Sequence, residues 1–143
     1  MKKYAILLIV VIMALALASC GSGDTTGQQQ QTDAPSEEAI TVTIDISYPD
    51  ESGLADVEDA TVTVDSESSV LSALITYGNA NDIEVLTDES SENPYVTSIN
   101  GVAETDTAGW VYEVNDEMVM ESADACILTD GDSISWDFES WTE

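Results

Sequence analysis

The spacing of apolar residues restricts this chain to a fold that mixes strands with a helix. Apolar and polar side chains alternate over residues 40–48 and again over 60–65, which predicts two half-buried strands that form a hairpin. Over residues 70–75 the apolar side chains recur with helical spacing instead. This stretch predicts one short helix, which Ser68 or Ser69 can cap and which Tyr77-Gly78-Asn79 can end.

Turn signals divide the last third of the chain. Asn-Gly at 100–101 is typical of a two-residue hairpin turn, and residues 115–116 and 130–132 are further turn candidates. Short strands are predicted at 95–99, 110–114, 118–120 and 134–138, and residues 83–86 are predicted to be a weak strand or an extended segment. One short helix packed across a mixed sheet of about five strands buries these faces, whereas a sandwich has no place for the helix. The sequence therefore predicts an α+β, β-grasp-like fold.

The N-terminus has the pattern of an export signal. Lys2 and Lys3 precede an uncharged apolar run over residues 5–18, which is shorter than a membrane-spanning helix requires. The run ends in Leu17-Ala18-Ser19-Cys20, which resembles the lipobox of bacterial lipoproteins. The resemblance implies cleavage before Cys20 and a lipid on its thiol. The alternative is an ordinary signal peptide or a single membrane anchor with a chance cysteine.

These signals predict three regions along the chain. Residues 1–19 are a lipoprotein signal peptide. Residues 20–38 are the lipidated cysteine and a flexible, disordered tether, because they are rich in Gly, Ser, Thr and Gln. Residues 39–143 are the folded domain. We expect a protein of the bacterial cell envelope, outside the cytoplasm and lipid-anchored to a membrane.

The charge of the chain excludes several classes of function. Lys2 and Lys3 are its only basic residues, it has no histidine, and all 29 acidic residues follow the predicted signal. A domain without basic groups cannot pair with nucleic-acid phosphates. It also has no histidine-based triad or metal site and no lysine for a Schiff base. We therefore expect no enzymatic activity, no catalytic residue and no cofactor.

Two further features have structural explanations. The Asp-Gly-Asp of residues 130–132 lacks the six to eight oxygen ligands of a dedicated Ca²⁺ loop, so a plain turn is favoured and no metal site is predicted. Cys126 has no partner inside the chain once Cys20 carries lipid. It is expected to be a small buried apolar residue with its pKa raised by acidic neighbours, and a reactive or intermolecular thiol is the alternative.

Four segments together resemble a known family. They are residues 69–74, 96–102, 109–115 and 128–136, and they resemble the domain of unknown function 4430, also described as transcobalamin-C-terminal-like, over roughly residues 40–139. The resemblance implies a β-grasp-like fold. In transcobalamin and intrinsic factor, a related domain closes over cobalamin that a helical barrel also holds. Residues 39–143 leave no room for that barrel, so a partner or a second copy would have to supply the opposite wall.

The leading hypothesis is a non-enzymatic ligand-binding module at the cell surface, with cobalamin or another corrinoid as the candidate ligand. The alternative is a surface protein–protein interaction or adhesion module, with an envelope protein as the partner. Aromatic residues at strand spacing usually fill a core, and asparagines in turns usually shape the turn. If the domain does bind a ligand, the candidate contacts are Tyr95, Asn100, Trp110, Tyr112, Asn115 and Trp141.

Overall fold

The computed structural model describes residues 38–90 and 93–141. The predicted signal peptide, the lipidation of Cys20 and the tether up to residue 37 lie outside the described residues and stay predictions. Within the described ranges, no helix combines the length and the apolar content needed to cross a membrane.

The described chain forms eight strands, one α-helix and a single 3-10 turn at Asp50–Ser52. The strands are β1 (Ala39–Ser47), β2 (Val57–Asp65), β3 (Val85–Asp88), β4 (Tyr95–Ile99), β5 (Val102–Ala103), β6 (Ala108–Val114), β7 (Glu117–Met118) and β8 (Ser133–Ser140), and the helix α1 spans Val70–Ala80.

Five of these strands build one mixed sheet in the order β2-β1-β8-β6-β7. The first hairpin is antiparallel, and the last strand lies parallel to β1 in the middle of the sheet. A first hairpin beside a parallel last strand, with a helix between them in sequence, confirms the predicted α+β, β-grasp-like fold. The sequence did not indicate that β3, β4 and β5 form a separate three-stranded sheet.

The core lies on the face of the sheet that α1 covers. In β1, the alternation predicted from the sequence buries Val42, Ile44 and Ile46 almost completely. From the helix, the buried side chains are Val70, Leu71, Ala73 and Leu74. Non-directional burial of apolar surface therefore holds the helix and the two central strands together.

The start of α1 agrees with the sequence and its end does not. Ser69 caps the first turn by accepting a hydrogen bond from the Ser72 backbone N–H at 3.2 Å. The predicted end at Tyr77-Gly78-Asn79 is wrong, because the helix continues to Ala80. Gly78 lies inside it, where a β-carbon would meet the Ile83 carbonyl oxygen at 2.6 Å. This glycine permits a close approach of the following loop.

The turn predictions hold at all three places. Asn100 and Gly101 both have positive φ, as do Asn115 and Asp116, which is the geometry of a type I′ hairpin turn. At residues 130–132, Gly131 also adopts positive φ. The strand predicted at 118–120 is shorter than expected, because pairing with β6 covers only Glu117–Met118.

Candidate functional site

The six predicted contact residues do not form one cluster. Tyr95 and Asn100 lie at opposite ends of the short strand β4. Tyr95 belongs to a group of residues that includes Trp141, and Asn100 belongs to a group that includes Trp110. Tyr112 and Asn115 lie elsewhere on β6 and the turn that follows it.

Tyr95 and Trp141 are the two predicted residues with exposed aromatic rings, and Glu104 lies near both, since it bonds to Tyr95 and shares the space above Gly109 with Trp141. Tyr95 is 44% exposed and Trp141 is 56% exposed. The Tyr95 hydroxyl donates to Glu104 Oε1 at 3.2 Å, while Trp141 Nε1 donates to the Asp106 carbonyl at 3.3 Å. We call Tyr95, Glu104 and Trp141 the acidic aromatic surface.

Gly109 allows this surface to form. A β-carbon on Gly109 would lie 2.7 Å from Trp141 Cη2 and 3.5 Å from the Glu104 β-carbon. The absence of a side chain therefore lets the indole pack onto strand β6 beside Glu104. Sequence reasoning missed both Glu104 and Gly109. A lone glycine inside a strand pattern was the available signal, since it often marks a close approach.

The electrostatics of this surface are uniformly negative. The hydrogen bond to Glu104 raises the pKa of Tyr95, and the charges of Glu104 and Asp88 add to the shift, because phenolate would be repelled there. Glu139 is exposed and pairs with Gly109 across the sheet, so it lies on the same outer side. No basic side chain follows Lys3 in the sequence to offset these carboxylates.

Asn100 and Trp110 belong to a second group on the inner side of the sheet. Trp110 packs edge-to-face against Tyr48 and Phe138, with centroid separations of 5.7 and 5.3 Å. Its Nε1 donates to the Val102 carbonyl at 2.9 Å, which joins the two sheets. Trp110 and Phe138 are half-buried, and Asn100 is exposed with its side chain near the Tyr48 hydroxyl. We call Tyr48, Asn100, Trp110 and Phe138 the aromatic ledge.

Tyr48 is the buried member of the ledge. Burial raises the pKa of its hydroxyl, and the nearby Asn100 side chain opposes that shift only in part. Asn100 approaches this hydroxyl closely enough to lower its pKa, but the contact lacks the geometry of a hydrogen bond, and the described residues provide no other partner. A buried hydroxyl with only such a contact costs stability, because it has lost its water without gaining a well-formed hydrogen bond.

The remaining two predicted residues have structural contacts of their own. Tyr112 is buried against Trp136, and its hydroxyl donates to the Glu121 carbonyl at 2.8 Å. Asn115 ties its turn to the start of β8: its Nδ2 donates to Asp132 Oδ1 at 2.9 Å, and its Oδ1 accepts from the Ser133 N–H at 3.0 Å. Burial acts to raise the pKa of Asp132, but the hydrogen bonds from Asn115 Nδ2 and from Thr129 outweigh it, so the pKa is lowered.

Cys126 was predicted to be buried, but the structure shows it only partly buried. Burial is the main reason that its pKa is raised, and the charges of Glu121 and Asp132 add to it, while the Tyr112 hydroxyl opposes the shift. The thiol is therefore largely protonated at neutral pH, which makes it a weak nucleophile.

The described residues form no preorganised site for a metal ion or for an enclosed ligand. In residues 38–90 and 93–141, no group of three carboxylate or thiol side chains is placed to hold a metal ion. The same ranges form no concave pocket. The described residues can instead contact a ligand or partner through the aromatic rings, amides and carboxylates on their open surfaces.

Replacing Tyr48 with Phe is expected to leave the free energy of unfolding unchanged or to raise it by about 1 kcal/mol, because it removes a buried hydroxyl that makes no well-formed hydrogen bond. The measurement is urea denaturation followed by circular dichroism. Tyr112→Phe is the matched control. It should lower stability by about 1 kcal/mol, since it leaves the Glu121 carbonyl without its donor. An equal loss in both variants would contradict the assignment.

Comparisons with known proteins agree with this fold. Haptocorrin, in a crystal structure with Cbi, superposes with a TM-score of 0.65 at 21% identity, over 74% of this chain and 26% of haptocorrin. A Ruminococcus gnavus ATCC 29149 protein described as metal-binding superposes with a TM-score of 0.48 at 18% identity, over 74% of this chain and all of that protein. This chain thus spans about a quarter of haptocorrin's length.

No protein of curated function matches the sequence. The profile of one family, the Domain of unknown function (DUF4430), matches residues 67–140, which is just over half of the chain. That range runs from the turn before α1 to the last residue of β8 and includes both the aromatic ledge's Trp110 and the Asn115 turn. The haptocorrin-like fold agrees with the transcobalamin-C-terminal-like description of this family. The chain belongs to the DUF4430 family.

Proposed function

We propose that this protein is a non-enzymatic ligand-binding module of the bacterial cell envelope, lipid-anchored through Cys20, and that its ligand is a corrinoid. Family membership and the fold shared with haptocorrin, which was crystallised with Cbi, support the proposal. The absence of histidine from the sequence, and of lysine and arginine beyond Lys3, supports binding over catalysis.

The observation that carries the proposal is the aromatic ledge. Trp110 and Phe138 are half-buried neighbours on paired strands, so part of each ring remains open to a ligand. Asn100 presents a side-chain amide beside Tyr48, whose ring packs on Trp110. A corrin ring has broad apolar faces and a fringe of amide groups. Its faces can pack on the aromatic rings while its amides hydrogen-bond to Asn100.

The ledge is open, so it can form only one wall of a corrinoid site. A small-molecule site usually buries most of its ligand, and the described residues form no concave pocket. We therefore include in the proposal that a partner protein or a second copy of this chain supplies the opposite wall.

The test is titration of the full chain with cobalamin and with cobinamide, followed by calorimetry and tryptophan fluorescence. We expect saturable binding that Asn100→Gly weakens by roughly 2- to 10-fold, because glycine keeps the positive φ of the turn and removes the amide. Asn79→Ala removes an exposed amide from the helix and should leave the affinity unchanged.

Two results would count against the proposal. The absence of binding by either corrinoid at high micromolar concentration would overturn it. Binding that both asparagine variants weaken equally would remove the ledge as the contact surface.

A further inference from the structure

The acidic aromatic surface takes no part in the corrinoid proposal. Gly109 and Trp110 are consecutive residues of β6, so the Gly109 side faces away from the ledge. Trp141 packs on that outer side and Glu104 lies beside it. The acidic aromatic surface and the aromatic ledge therefore lie on opposite faces of β6 and can be tested separately.

Exposed aromatic rings beside carboxylates have a defined chemical preference. The face of an indole or phenol ring attracts a cation, and the attraction is largest for tryptophan. Glu104 accepts a hydrogen bond from Tyr95 through one oxygen, Oε1, and no described hydrogen bond involves the other. A lysine or arginine side chain placed over Trp141 could therefore donate to Glu104 at the same time.

Residues 4–143 contain no lysine, arginine or histidine, so the described part of the chain has no basic side chain to place over Trp141. Because Lys2 and Lys3 both lie in the predicted signal peptide, we expect the cation to come from another molecule. Anionic partners are repelled by Glu104, Glu139 and Asp88, which all lie near the exposed rings.

We propose that the acidic aromatic surface docks a basic segment of a partner protein, with a lysine or arginine side chain packed over Trp141 and hydrogen-bonded to Glu104. A protein segment is favoured over a small organic cation, because the described residues form no concave pocket to enclose one. Open surfaces with an exposed tryptophan are typical of protein contacts, where tryptophan and arginine dominate the binding energy. The charge of the whole chain steers a basic partner toward it.

The test measures binding of a short peptide of alternating lysine and serine to the full chain, at an ionic strength of about 0.15 M to screen diffuse attraction. Calorimetry gives the affinity, and fluorescence reports on Trp141, the exposed tryptophan of the described residues. Trp141→Ala and Glu104→Gln are each expected to weaken binding by roughly 3- to 30-fold. Gly109→Ala should have a similar effect, because its new β-carbon displaces the ring from the strand.

Matched control variants distinguish specific binding at the acidic aromatic surface from general attraction between the basic peptide and the acidic chain. Glu67→Gln removes the same charge as Glu104→Gln from an exposed position that follows β2, and Met120→Ala removes an apolar side chain that is 92% exposed. Both should change the affinity less than 2-fold. Circular dichroism confirms that each variant is folded.

The proposal is overturned if the lysine peptide does not bind, if a glutamate–serine peptide binds equally well, or if Glu67→Gln weakens binding as much as Glu104→Gln. These outcomes do not depend on corrinoid binding, so the two proposals can fail separately.

Discussion

Replacing Trp136 with Ala is expected to lower the free energy of unfolding by about 3–5 kcal/mol. Trp136 is 2% exposed and lies on β8, the strand that pairs with both β1 and β6. Its ring packs on Tyr112 with a centroid separation of 5.3 Å. Alanine would leave a cavity at the centre of the sheet, and the strands around it cannot collapse without breaking their hydrogen-bond register. Urea denaturation of both proteins measures the loss.

Trp136→Phe is the matched control for this cavity. The indole N–H is buried and has no hydrogen-bond partner among the described residues, so removing it recovers part of what the smaller ring loses. The loss should therefore be well below that of Trp136→Ala, at about 1–2 kcal/mol. A loss below about 1 kcal/mol for the alanine variant would show that Trp136 does not fill the core as described.

Gly78→Ala is expected to lower the free energy of unfolding by about 2 kcal/mol, although alanine is the better helix former by about 1 kcal/mol. The reason is steric. A β-carbon at this buried position would lie 2.6 Å from the Ile83 carbonyl oxygen and 3.1 Å from Val85 Cγ2. The loop must then move away from the helix, which also strains the hydrogen bond from the Ile83 N–H to the Gly78 carbonyl, 2.9 Å long.

Asn79→Ala provides the comparison at the next residue, which is exposed. There alanine meets no obstruction, so stability should stay the same or rise by a few tenths of a kcal/mol. Thermal or urea denaturation of the two variants should thus give opposite signs. If Gly78→Ala also stabilised the protein, the close approach of the loop to the helix would be wrong.

Some parts of the fold could be predicted because their causes are local. The alternation in β1 follows from the two-residue period of a strand, and it places Val42, Ile44 and Ile46 inside. Ser69 caps the helix through a bond to a residue three positions away. Asn100 and Asn115 adopt positive φ in the turns where asparagine was expected. Each of these features depends on residues that are neighbours in the sequence.

The two proposed binding surfaces show where sequence reasoning stopped. It selected Tyr95 and Trp141 as separate candidates, but it had no basis for placing Glu104 near both. Glu104 reaches Tyr95 because β4 and β5 pair, and it lies near Trp141 because Gly109 leaves room for the indole. Glu104 is also one of 29 acidic residues, so abundance concealed it in the sequence. Tyr48 was assigned to a strand face, and its contact with Trp110 came from folding alone.

The sequence by itself determined the order of the elements, the turns, the absence of basic side chains beyond Lys3 and the resemblance to the DUF4430 family. Only the tertiary structure decided that β8 inserts parallel to β1, that β3, β4 and β5 separate into a second sheet, and that Glu104 bonds to Tyr95 and lies near Gly109 together with Trp141. The physical reason is that a strand's alternation specifies which of its faces is buried but not which strand pairs with it. Burial of apolar surface is non-directional, so pairing between distant segments depends on how all the elements pack at once.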